Sequence, residues 1–316
     1  MTRPKHPAPL AILVLCLCTC AVQAQNPVQW NASVQQSVDR ANEQSLPLLF
    51  WVSDGDDDDD DLKDAQEDCF RDPVVVNLIQ RYFIPVRVSR TSNVIQEAQK
   101  LGLPTSHGLY CAVLTPDARL LDQMGPDDVA DPAGFTSQLV KAYTAHCADL
   151  YEKELRPIFD DPEATKSRLR LAAQTVWRLG IRQADSDVIA LLDRTDLTPS
   201  ERSRIYSLLA SLGTESSIDA LLDRSDDQAA ADSLRHASPG GIEWLMPAMP
   251  GDAGDVTPSQ LLAYRSVVSV CRLGSARPDN WWAEASTDDR RGEVVRVSSN
   301  AEAVLGYWRQ SEGITR

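Results

Sequence analysis

The densest chemistry in this chain is the run Asp54-Gly55-Asp56-Asp57-Asp58-Asp59-Asp60-Asp61, because carboxylates are the natural ligands of a hard cation. Against the spacing of a twelve-residue calcium loop, Asp56, Asp58, Asp60 and Glu67 fall at positions 1, 3, 5 and 12. Asp61 stands where that loop turns on glycine, and Lys63 where it usually carries an apolar residue. Neighbouring carboxylates about 6 Å apart repel by roughly 0.7 kcal/mol per pair in water, so a cation would relieve the run, and salt weakens the effect. The expected state is a solvated acidic loop with no cofactor. Weak calcium binding through Asp54, Asp56, Asp58, Asp60 and Glu67 is the alternative.

Thiols are the other chemical resource. Cys69, Cys111, Cys147 and Cys271 are widely spaced, and none forms a Cys-x-x-Cys. Thiol-disulfide exchange needs a thiolate with a lowered pKa. Asp64, Glu67 and Asp68 surround Cys69 with negative charge, which raises its pKa instead, and Cys111 sits inside an apolar strand pattern. Both are expected to be packed residues, with a redox role at Cys69 or Cys111 as the alternative. His107 and Cys111 lack a third metal ligand at useful spacing, so no metal site is expected there. The chain has no glycine-rich phosphate loop and no Gly-x-Ser-x-Gly.

The elements that would position these groups change character along the chain. Asn31 is the expected cap of a helix carrying Val34, Val38 and Ala41 on one face. Leu46 to Val52 reads as a strand buried on both sides. Asp72-Pro73 opens a helix running to Tyr82, and Phe83 to Val88 is the next strand. Ile95 to Leu101 reads as a helix closed by Gly102. Leu109 to Leu114 and Arg119 to Met124 then form a hairpin about Thr115-Pro116-Asp117-Ala118, followed by a helix from Pro132 to Leu155.

Helix, strand, helix, strand, helix, hairpin, helix over residues 28 to 150 resembles a thioredoxin-like domain. The acidic run lies where that family carries its redox-active Cys-x-x-Cys. The proline that the family places in cis before the hairpin strand is absent at Gly108 and Leu109, and Pro104 comes several residues earlier. Both departures fall on the family's substrate-contacting face. The resemblance therefore implies a redox-inactive domain.

The second half reads as helical and repetitive. Leu191-Leu192-Asp193-Arg194 recurs as Leu221-Leu222-Asp223-Arg224, and Leu179-Gly180, Leu212-Gly213 and Leu273-Gly274 each end a helix pattern. This resembles short HEAT-like repeats, which predicts equivalent burial of Leu191 and Leu221. Asp160-Asp161-Pro162 is the expected joint between the halves. Ser275 to Asn300 reads as irregular apart from Trp281-Trp282, expected to pack under a loop, and Ala301 to Trp308 as a short closing helix.

Arg3 and Lys5 precede an apolar run from Leu10 to Val22 that is short for a membrane span and ends in small residues at Val22-Gln23-Ala24. Residues 1–24 are expected to be a removable signal for export to the periplasm or the extracellular space. A lipid-anchored form through Leu17-Cys18-Thr19-Cys20 is the alternative, disfavoured by Thr19. A formal charge of −15 repels phosphate backbones and anionic lipid, so neither nucleic acid nor a membrane surface is an expected partner. No later segment is apolar enough to be an integral membrane span. The fold expected is an α/β thioredoxin-like domain over 25–160 followed by an all-α HEAT-like solenoid over 163–316. The function expected is that of an exported, non-catalytic scaffold binding another protein on the helical repeat surface, and a thiol-disulfide oxidoreductase or disulfide-handling chaperone is the alternative.

Overall fold

The computed structural model describes residues 27–53, 60–89, 96 and 111–311. The signal reading of 1–24, Pro104, His107 and the helix expected at 95–101, save Gln96, lie outside the described residues.

Four strands, β1 (Leu48–Ser53), β2 (Ile84–Ser89), β3 (Cys111–Leu114) and β4 (Leu120–Met124), form one mixed sheet in the order β2-β1-β3-β4. β1 pairs in parallel with β2 and antiparallel with β3, and β3 pairs antiparallel with β4. Because successive side chains on a strand point to opposite faces, the central strand feeds two cores. Leu48, Phe50 and Val52 pack on one side with Val34 and Ala41 of α1 (Val34–Gln44). Leu49 and Trp51 pack on the other with Cys69 at the end of α2 (Asp60–Cys69), Val76 and Ile79 of α3 (Pro73–Tyr82), and Phe135 and Leu139. Burial on both faces is why β1 is a continuous apolar run.

Local chemistry sets the boundaries. Asp72 accepts hydrogen bonds from Val74 and Val75 N–H, with Pro73 at the first helical position, as its residue types predict. At α1 the cap is Ser33, not Asn31. Asn31 instead docks on the edge of β2, donating from its backbone N–H and its side-chain amide to Pro85 O and accepting from Arg87 N–H. Proline at 85 has no N–H to offer, which leaves its carbonyl as the anchor.

After α4 (Pro126–Ala130), α5 runs from Pro132 to Leu150 and continues to Phe159 through a wide turn, Tyr151–Leu155, in which Arg156 N–H reaches Tyr151 O. Pro157 would clash with the carbonyl four residues back in a regular helix, and the wide turn just before it accommodates the ring.

The remaining elements are helices, joined by turns and loops. α6 (Lys166–Leu179), α8 (Pro199–Leu212), α10 (Gln228–Leu234) and α12 (Pro258–Val270) contact one another in sequence as one row. α7 (Asp185–Ala190), α9 (Glu215–Leu222) and α11 (Ile242–Leu245) form a second row against it. Threonines 165, 198 and 257 cap α6, α8 and α12, two of them in boxes with Glu201 and Gln260. Gly180 and Gly213 close α6 and α8 with positive φ. α12 ends at Val270 rather than at Leu273-Gly274. α13 (Asp279–Glu284) carries the tryptophan pair on a short helix rather than under a loop, burying Trp282 against Tyr264 and leaving Trp281 half-buried.

Two further expectations are overturned. Residues 287–300 are not irregular: α14 (Thr287–Ser311) is one long helix, capped by Ser286. Its buried face carries Glu293, Val297, Ala301 and Leu305, so a carboxylate interrupts the apolar stripe that would reveal it. Leu191 and Leu221 are also not equivalent. Leu221 is fully buried in α9, whereas Leu191 is half-buried in a tight turn after α7. Burial matches by glycine offset instead: Val188 follows Gly180 by the same number of residues as Leu221 follows Gly213, and both are fully buried.

Candidate functional site

A cleft of about 660 Å³ lies where the sheet-bearing half meets the helical half. The first half contributes Arg81 and Tyr82 from α3 and Tyr143, Thr144 and Cys147 from α5. The second half contributes residues 177–183 at the end of α6, Ser211 and Leu212 at the end of α8, the Ser238-Pro239 turn, and Trp308 of α14.

The wall is fixed by specific bonds. Tyr143 donates its hydroxyl to Leu179 O at 2.8 Å, and Gln183 donates to Cys147 O at 3.3 Å, tying α5 to the helical half. Burial drives the Tyr143 phenol well above its usual pKa, with Cys147 adding to the shift, so it stays a neutral donor. Tyr82 packs against Tyr143 at a tilt of 55° with ring centroids 4.8 Å apart, and the Arg81 guanidinium lies 5.0 Å over the Tyr82 ring. Arg182 donates to Gly213 O at 2.9 Å. Burial lowers its pKa, and nearby Glu243 and Asp185 oppose that shift.

Two glycines make room for this wall. A Cβ on Gly213 would meet Ser238 Oγ and Gly241 N, and one on Gly240 would come within 2.7 Å of the Trp308 ring. The edge of the Trp308 six-membered ring therefore lies close against Gly240 in the Pro239–Gly241 turn, and Arg309 of α14 pairs with Glu243 at 2.7 Å beside it.

The buried stripe of α6 is Leu169, Ala172, Val176 and Leu179, so Trp177 falls about 100° off it and is turned outward. Its side chain is 62% exposed at the rim of the cleft, beside exposed Arg178. Arg178 makes no ion pair or side-chain hydrogen bond with the described residues. The charged side chains among the described lining residues are Arg81, Arg178 and Arg182, and no carboxylate is among them. The whole chain carries 46 acidic residues against 31 Lys and Arg. The lining side chains are thus locally cationic in an acidic chain, with Glu243 and Asp185 standing close to Arg182.

No protein-family model matches the chain, and no curated protein matches it. The site must be read from its own chemistry.

Cys69 and Cys111 lie in one core under the sheet, fully buried and unpaired, as are Cys147 and Cys271 in being buried and free. Burial pushes the Cys69 thiol up to about 12, with Asp72 and Asp131 adding to it. The expected direction holds, but desolvation is the larger cause and its acidic neighbours differ from those adjacent in sequence. Cys111 is raised by burial and then by Cys69, Cys147 is pushed up to about 12, and Cys271 to about 11.

Asp54, Asp56 and Asp58 lie outside the described residues. Asp60 and Glu67 are in the single helix α2, about 10 Å apart along its axis, and Glu67 pairs with Arg71 at 3.1 Å. Among the described residues, no group of three or more His, Cys, Asp or Glu side chains is placed to hold a metal ion. No helix among them is long and apolar enough to cross a membrane.

Sequence reasoning missed the cleft residues because they come from six separate segments of the chain. The one local signal was Trp177, a large aromatic off the apolar face of its own helix.

Proposed function

We propose that this chain is an exported, non-catalytic protein-binding protein that engages its partner at the cleft between its halves. The observation that carries the reading is the exposed Trp177 with Arg178 at the rim of a preformed, aromatic-lined cleft. A large aromatic beside an arginine, displayed over a pocket, is the composition of a binding hot spot. The order β2-β1-β3-β4, with a parallel first pair, an antiparallel hairpin and helices on both faces, supports reading residues 25–160 as thioredoxin-like. The two helix rows support a HEAT-like array over 163–316.

The oxidoreductase alternative draws less support, since buried thiols pushed to about 11 or 12 are poor nucleophiles near neutral pH. The test is affinity capture from the exported fraction with wild type and Trp177→Ala. A protein held by wild type and released by the variant is the expected result. A partner held equally by both places the docking surface elsewhere.

A further inference from the structure

The cleft's charge and shape specify more than a generic surface. We propose that it takes an acidic peptide segment bearing an apolar side chain, presented by the partner protein. This rests on the cleft being the docking surface.

Three arginines and no carboxylate among the described lining residues make the cleft wall cationic in a chain of net charge −15, and because Glu243 and Asp185 act on Arg182, that excess is clearest at exposed Arg178 on the rim. Carboxylates are therefore attracted there and repelled by the acidic surface elsewhere, so the same charges that favour the right site disfavour the wrong ones. Arg182 is anchored on Gly213 O, while Arg178 stands exposed at the rim where it can follow a flexible ligand. Guanidinium forks match carboxylates bidentately.

The cleft also displays Tyr82, Trp177 and Trp308, and aromatic faces bind apolar groups that a bare inorganic anion lacks. A nucleic-acid strand would carry its phosphates past the three arginines onto acidic surface, which a short acidic peptide segment does not.

The experiment measures fluorescence anisotropy of a dye-labelled short peptide alternating glutamate with phenylalanine and leucine, against the full chain. Peptides with lysine in place of glutamate, a single-stranded oligothymidylate and inorganic phosphate are the comparisons. The glutamate peptide is expected to bind saturably and the lysine peptide not. Arg178→Glu should weaken binding about tenfold or more, because it replaces an attraction with a repulsion. Trp177→Ala should weaken it too, and Leu171→Ala, exposed on the same helix outside the cleft, should not. Equal binding of the two peptides, no effect of Arg178→Glu, binding of oligothymidylate as tight as that of the peptide, or full displacement by millimolar phosphate would overturn the proposal. If the glutamate peptide fails while Trp177→Ala still releases a captured partner, the acidic specificity falls and the docking surface stands. If capture is also unaffected, both fall.

Discussion

The Tyr143 hydroxyl donates to the Leu179 carbonyl at 2.8 Å, and this buried bond joins the sheet-bearing half to the first helix of the helical half. It also builds the cleft, because Leu179 O is one of the carbonyls left unpaired at the end of α6. A single hydrophobic core runs from Val28 under the sheet to Ala301 in α14, so the wall around this bond is packed on both sides. Tyr143→Phe keeps the ring and removes the donor. It should cost about 1 kcal/mol, with a buried carbonyl left unsatisfied, measured as a lower urea midpoint. A midpoint equal to wild type would mean that the bond does not hold the halves together.

Glu293 supplies a pH-dependent test. Its carboxylate is buried, accepting from Arg296 at 2.6 Å and Tyr264 at 2.7 Å. Those bonds, led by that from Arg296, hold its pKa down at about 2 from an ordinary 4.5. A depressed folded pKa contributes stability that is present above the unfolded value and lost as pH falls through the folded one. The contribution should thus be full above about pH 5 and fade towards pH 2, amounting to about 3 kcal/mol at neutral pH. Glu293→Gln should therefore lower stability clearly at pH 7 and progressively less towards pH 2. A wild-type-to-variant difference in unfolding free energy that does not change with pH would contradict this.

The glycine register of the helical half predicts an ordering of core substitutions. Leu221→Ala should cost about 2–5 kcal/mol. Val188→Ala, at the matching buried site, should cost about 1.5–3 kcal/mol. Leu191→Ala, half-buried in its turn, should cost about 1 kcal/mol. Chemical denaturation of the three variants checks the ordering, and a Leu191→Ala as damaging as Leu221→Ala would restore the Leu-Leu-Asp-Arg register.

The four thiols should be inert in the native protein. With a pKa of about 12, as at Cys69 and Cys147, only about one thiol in ten thousand is ionised at pH 8, and burial blocks access as well. An aromatic disulfide reagent should react with them at the rate of unfolding and completely in denaturant. Rapid native labelling that disappears in Cys69→Ser would favour the redox alternative.

Sequence reading succeeded where one residue type settles a local structure. Asp72-Pro73 opens α3, the apolar run of β1 is buried on both faces, and Thr115 to Ala118 turns the hairpin, with Ala118 at φ 65°. It failed where a distant partner decides. Asn31 has the chemistry of a cap, but Pro85 O claims it. α14 hides its core face behind Glu293, whose burial depends on Tyr264, Arg277 and Arg296. The repeated Leu-Leu-Asp-Arg words pointed to one register and the αL glycines fixed another. No pattern along the chain links Arg81, Trp177 and Trp308, because only the tertiary packing of α3, α6 and α14 brings them to one cleft.

The most direct test of the docking surface is site-specific photo-crosslinking. A photoreactive phenylalanine analogue replaces Trp177 at the cleft rim or, as the control, Leu171, which is 57% exposed on the same helix and outside the cleft. Irradiated in the exported fraction, the probe at 177 should give a discrete covalent adduct with one partner, and the probe at 171 should give none. A partner adduct from 171 and not from 177, or equal adducts from both, would contradict the assignment of the cleft as the binding surface.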